Sequence, residues 1–139
     1  MLRVVIDTNV LVSSVISKKG APAVLIQAWS DRLFDLVTSE AIIAEIGRVL
    51  SEPRLKQVFN ISDDRIARLV ELLRKGSILV PGSAAVAGAV PADPSDEMFL
   101  AAALDGNADV IISGDKDLLK IETFRGIAII TPRQFLDRI

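Results

Sequence analysis

A chain of 139 residues with 18 Asp and Glu against 16 Lys and Arg has a formal net charge of −2, so no global positive field draws nucleic acid toward it. It contains no Cys and no His. Disulfides, thiol nucleophiles, thiolate zinc sites and imidazole bases are therefore excluded, and any chemistry must use carboxylates, hydroxyls, amides, Lys or Arg.

Short β-like runs alternate with longer helical ones along the chain, a pattern that predicts an α/β protein with a mainly parallel sheet and crossover helices. The first strand is predicted at 3–7. Helices are predicted at about 10–17 and 21–31, with Pro22 in the first turn of the second. A second strand falls at 33–39. Ser39 then caps a helix through about Leu50, and Pro53 interrupts before a short piece around Leu55–Phe59. Ser62, followed by Asp63 and Asp64, opens a helix that runs to Lys75 and closes at Gly76. A third strand is predicted at 77–81. Residues 82–94, GSAAVAGAVPADP, are small and proline-marked and receive no assignment. Ser95 is read as the start of a helix to about Asp105. A buried strand follows at 108–113, then the GDKDLL turn into a short helix. The last strand is predicted at 126–130, before a helix that begins with a proline at 132.

Half of the residues are hydrophobic and the mean hydropathy is +0.44. The longest apolar runs still fall far short of the ~20 residues of a membrane span. The N-terminal stretch, closed early by Asp7, does not read as a signal peptide. The expectation is a single domain over 1–139, cytoplasmic, with no membrane contact. The apolar surplus points to a dense core or a subunit interface.

The opening run VVID drives three apolar residues toward a core and then stops on a charge. A carboxylate there is costly to desolvate unless something compensates it. Asp7 either caps the next helix or belongs to a charged site with its own counter-ion. Asp115, after VIISG, points toward the same rim, because sites in open α/β sheets form beyond the carboxyl ends of the strands.

Two more acids sit where burial alone would not choose them. On a helix from Ser95, Asp96 heads the stripe formed by Phe99, Leu100 and Ala103; the plainer account is a first-turn charge favoured by the helix dipole. Glu45 lies about 40° outside Val49, on the border of an apolar stripe; an edge glutamate paired with Arg48 or solvated would look the same. Glu40, beside Ser39, reads as a helix-start charge. Asp93 is a secondary candidate for the site that reads first as a turn residue before proline. Asp117 either caps the short helix or adds an oxygen beside Asp115, and is placed with the site. Thr8, Asn9 and Ser113 are supporting candidates that could orient water or phosphate, although such residues more often cap helices and strand ends.

Clustered carboxylates repel and raise one another's pKa. A divalent cation removes that penalty, and hard oxygen ligands select Mg²⁺ or Mn²⁺. Such an ion polarises a phosphodiester and activates water.

With the acids placed, the stretches VVIDTNVLVSS, TSEAIIAEIGRVL, DPSDEMFLAAALDGNADVIISGDKDLL and IITPRQFL together resemble the PIN-domain family, and within it the bacterial and archaeal toxins of toxin–antitoxin pairs. The resemblance runs over essentially the whole chain. Carried over by position, the four family acids fall on Asp7, Glu45, Asp96 and Asp115, with a further acid at Asp117, a hydroxyl at Ser113 and the Asn at Asn9. The resemblance implies a three-layer α/β/α fold and a Mg²⁺- or Mn²⁺-dependent ribonuclease acting on RNA. It also implies a cognate antitoxin protein as partner and a homodimer. Lys18, Lys19, Arg32, Arg54, Lys56 and Lys116 are candidate phosphate contacts.

Three other readings compete. A haloacid-dehalogenase-like phosphatase wants a second Asp where this chain has Asn9. A receiver-type switch would not place acids on the inner faces of two helices. A PIN-like scaffold that binds RNA or protein without cutting is the non-enzymatic alternative.

Overall fold

The computed structural model describes all of residues 1–139. Its elements are β1 (Arg3–Ile6), α1 (Thr8–Ile16), α2 (Ala21–Ser30), β2 (Asp35–Ser39), α3 (Glu40–Leu50), α4 (Pro53–Phe59), α5 (Asp63–Gly76) and β3 (Ile78–Val80). After a long loop come a 3-10 turn (Pro94–Asp96), α6 (Glu97–Asp105), β4 (Val110–Ile112), α7 (Lys116–Leu119), β5 (Thr123–Phe124), β6 (Ile127–Ile130) and α8 (Pro132–Leu136).

The boundaries follow from local chemistry. Ser39 caps α3 by accepting from the Ile42 amide, and Ser62 caps α5 by accepting from the Arg65 amide, each satisfying one of the orphan donors of a first turn. Pro22, Pro53 and Pro132 occupy first-turn positions of α2, α4 and α8, where a missing N–H costs nothing. Thr131 and Gln134 close α8 with a reciprocal capping box.

The six strands lie in the order β3-β2-β1-β4-β6-β5. All neighbouring pairs are parallel except β5 with β6. The chain first steps outward on one side of β1, through β2 and β3, and then returns to the other side with β4. The switch point thus lies between β1 and β4, and a crevice opens beyond their carboxyl ends.

Helices cover both faces, as right-handed crossovers require. α1, α2, α3, α5 and α8 form one connected layer, while α6 lies along β2, β1 and β4. Val4, Val5, Ile111 and Ile112 are inaccessible in the middle of the sheet, and one cluster of buried hydrophobic side chains joins the sheet to its helices. Phe34 meets Phe135 edge-on, with ring centroids 5.3 Å apart. Gly106, at the end of α6, is required by packing: a Cβ there would stand 2.5 Å from Val37 Cγ1. No helix is long and apolar enough to cross a membrane.

Two expectations need correction. The helix predicted from Ser95 begins at Glu97, because Asp93 caps a 3-10 turn over Pro94–Asp96 by accepting from the Ser95 amide. β5 was not expected; it is two residues long and pairs antiparallel with β6 through a turn containing Gly126 at φ 84°. So short a strand leaves no period-two signature.

Candidate active site

Asp7 follows β1 directly and is 2% exposed. Its amide continues the ladder to the Ile112 carbonyl at 3.0 Å. One carboxylate oxygen caps α1 by accepting from the Val10 amide at 2.9 Å. The other accepts from Ser113 Oγ at 2.5 Å and from the Gly114 amide at 3.3 Å. The capping reading of VVID is realised in this geometry, and the side chain also lines a small pocket with Glu45 and Asp96. Burial pushes the Asp7 pKa up, against the lowering effect of these hydrogen bonds.

Ser113 is fully buried. While donating to Asp7 it accepts from the Asp115 amide at 2.9 Å. It thereby links the ends of β1 and β4 and sets the turn that carries Asp115. Asp115 in turn caps α7 by accepting from the Asp117 amide at 2.7 Å.

Asp96 occupies the last residue of the 3-10 turn and is 8% exposed. Its Oδ2 is buried and has no hydrogen-bond partner. Burial, then the neighbouring Asp115 and Asp93 charges, push its pKa up to about 7, with Asp7 adding a smaller repulsion. Oxygens of Asp93, Asp96 and Asp115 all lie within 4.8 Å of one another. On a second side, Asp96 shares a small pocket with Asp7, Thr8, Asn9, Glu45 and Phe99. Asp96 thus belongs to both groups: it lies near Asp93 and Asp115 and also lines the pocket with Asp7 and Glu45, acids spread over more than a hundred residues of chain.

Asp93, the secondary candidate read first as a turn residue, serves both purposes. It does form the turn, since its Oδ1 accepts from both the amide and the hydroxyl of Ser95, and it also faces Asp96 and Asp115. No local signal places it there: Asp93 precedes the 3-10 turn with an extended backbone, φ −150° and ψ 92°, and only the folded loop turns it toward Asp96. Asp117 is half-buried in the first turn of α7 and contributes its amide to Asp115; its carboxylate is not one of the three mutually close ones. Thr8 Oγ1 is buried without a partner beside Asp7, and Asn9 is exposed on the pocket wall.

The donor set fits a hard divalent cation. A buried, unpartnered carboxylate oxygen facing two other acids is unfavourable by itself, and a positive centre supplies the missing partner. Asp93, Asp96 and Asp115 are the side chains that would hold it, with Asp7 and Glu45 in the adjoining pocket.

The basic candidates scatter. Lys56 pairs with Asp63. Arg32 lines a cavity of about 780 Å³, together with Trp29, Phe34, Asp35 and Leu72, at the amino ends of the strands and away from every acid of the site. Glu40, read as a helix-start charge, is exposed at the start of α3 and forms a bidentate pair with Arg74 at 2.9 and 3.0 Å, which lowers its pKa.

The chain is similar to the uncharacterized protein MJ1680 of Methanocaldococcus jannaschii, at 28% identity over 145 aligned positions covering 98% of this chain and 90% of that protein. Its fold is similar to that of a chain of VapBC2 from Rickettsia felis bound to a DNA fragment from their promoter, with TM-score 0.61, 13% identity, and coverage of 92% of this chain and 97% of that one. It is also similar in fold to a chain of FitAcB from Neisseria gonorrhoeae, with TM-score 0.54, 19% identity, and coverage of 94% and 98%. In sequence, residues 3–117, from β1 into α7, match the PIN domain family, and the chain belongs to that family.

Proposed function

We propose that this protein is a Mg²⁺- or Mn²⁺-dependent endoribonuclease, the toxin of a toxin–antitoxin pair, acting in the cytoplasm as a homodimer. Membership of the PIN family supports a nuclease, and the likeness in fold to chains of VapBC2 and FitAcB supports an antitoxin partner. The observation that carries the reading is the buried, unpartnered Oδ2 of Asp96, set among Asp7, Asp93 and Asp115. In its ionised form that carboxylate is unfavourable unless a cation completes it; at lower pH a proton does so.

The roles divide as follows. Asp96 supplies the central oxygen, shared between the trio with Asp93 and Asp115 and the pocket with Asp7 and Glu45. Ser113 keeps Asp7 and the Asp115 turn in register. Thr8 lines the same pocket, with its buried Oγ1 unpartnered. Asn9 presents an amide at the mouth. When bound, a divalent ion here would polarise the phosphodiester and stabilise charge on the oxygens around phosphorus. Asp117 lies in the first turn of α7, outside the three mutually close carboxylates, and the net charge leaves phosphate contacts to local Lys and Arg.

The test is cleavage of single-stranded RNA by purified protein with Mn²⁺, in chelator, and in folded Asp7→Asn and Asp96→Asn variants. Activity that needs the ion and disappears in both variants supports the nuclease. Binding of RNA without any cutting, under all these conditions, would make the chain the non-catalytic scaffold. Co-purification with the product of a neighbouring reading frame tests the antitoxin.

A further inference from the structure

Glu97 stands next to Asp96 in sequence and opens α6, yet its carboxylate turns away from the acid cluster. Its Oε2 accepts from the amides of Gly88 and Val90, at 3.0 and 3.2 Å. Both donors belong to residues 82–93, the long loop between β3 and α6. Gly88 has φ 82°, a backbone conformation that favours glycine and that helps neighbouring amides converge on one anionic oxygen, as in the backbone concavities that hold anions.

The loop then continues directly into the site. The side chain of Val90 is buried. Its carbonyl accepts from the amide of Asp93 at 3.2 Å, and the Asp93 carbonyl accepts from the amide of Asp96 at 3.1 Å. A chain of hydrogen bonds thus leads from the Glu97 carboxylate through Val90 to Asp93. The loop is also tied at its far end, where the Ser83 amide donates to Asp105 at 2.7 Å. It therefore lies along α6 as a strap, fixed by a carboxylate at each end of that helix.

We propose that Glu97 is a positioning residue, which holds the strap through Gly88 and Val90 and thereby fixes Asp93 against Asp96 and Asp115. This rests on the reading that these acids hold a divalent cation. A first-turn glutamate serving only the helix dipole would need no such bonds, and a ligand would face Asp96. What the strap requires of Glu97 is an oxygen acceptor at the right reach. Its negative charge is secondary.

That distinction gives the experiment. Mn²⁺ is titrated into the full chain and free ion is read by its electron paramagnetic resonance signal, in wild type, Glu97→Ala, Glu97→Gln and Glu97→Asp. Hydrogen exchange at Gly88 and Val90 is measured on the same ion-free proteins. Glu97→Ala should weaken Mn²⁺ binding by about tenfold, the low end of the range for residues that support a ligand, and lose protection at both amides. Glu97→Gln, whose amide oxygen can still accept, should stay within about threefold of wild type with protection retained. Glu97→Asp keeps the charge but is one methylene short, so it should behave as Ala; it also serves as the folded comparison if Ala unfolds. Equal Mn²⁺ affinity in wild type, Ala and Asp overturns the inference and leaves the metal site standing. Glu97→Gln as weak as Ala with its amides still protected also overturns it, because Glu97 would then act by charge or ligation. A wild-type chain that takes up no Mn²⁺ removes the metal reading, and the inference with it.

Discussion

Ser113 donates to a carboxylate after one strand while accepting from the amide that starts the turn after another, so it orders two acids at once. Ser113→Ala removes both bonds at a fully buried position. We expect a loss of about 1–3 kcal/mol in urea unfolding, the usual cost of leaving a buried polar group unpaired. Mn²⁺ affinity should fall about tenfold as the support of a ligand is lost. Asp96→Asn has the opposite signature. It removes a carboxylate that burial and neighbouring acids disfavour in its charged form, so the ion-free variant should melt higher than wild type at pH 8 while its Mn²⁺ uptake and RNA cleavage fall at least 100-fold. A lower melting temperature in Asp96→Asn would show that the side chain is not under electrostatic strain. Stability given up for an active site is a common exchange.

At the scale of elements, the packing of α6 on the sheet decides whether Asp96 reaches the crevice. Gly106 lets the end of α6 approach Val37 on β2. Gly106→Ala should cost about 1–3 kcal/mol, the usual range for overpacking a filled core. The double variant Gly106→Ala with Val37→Ala should be less destabilised than the sum of the two single changes, since the clash is then relieved; strict additivity would place the contact elsewhere. Most elements were legible in the sequence because their signals are local. Ser39 and Ser62 are caps, Pro22 and Pro132 are helix starts, and the spacing of Ile42, Ile43, Ile46 and Leu50 marks one buried face. The 3-10 turn at Pro94–Asp96 and the two-residue β5 were not legible, because neither is long enough to show a period.

Across the whole molecule, acids drawn into one crevice make stability depend on pH and on cations. Burial raises the pKa of Asp7, and raises Asp96 to about 7 from an ordinary value of 3.8 that the unfolded chain keeps. Between those two values the folded protein holds a proton that the unfolded chain has released. Stability therefore falls as pH rises through that window. Without divalent ions the melting temperature should drop from about pH 5 to pH 7 and then level off; a rise over the same range would contradict the raised pKa. Mn²⁺ should reverse the drop, because it binds the ionised acids of the folded state only. At 100 times its dissociation constant it would add about 2.7 kcal/mol, and chelator should remove that gain.

The sequence by itself determined the alternation of strands and helices, most of their caps, and the four acids whose positions burial did not explain. Those features are local: a cap is settled within four residues and an amphipathic face within a few turns. Only the tertiary structure decided that Asp7 and Asp115 share one serine, that Asp93 faces Asp96, and that Glu97 faces the strap. β1 and β4 are separated by more than a hundred residues, and they become neighbours because the packed sheet buries their apolar side chains together.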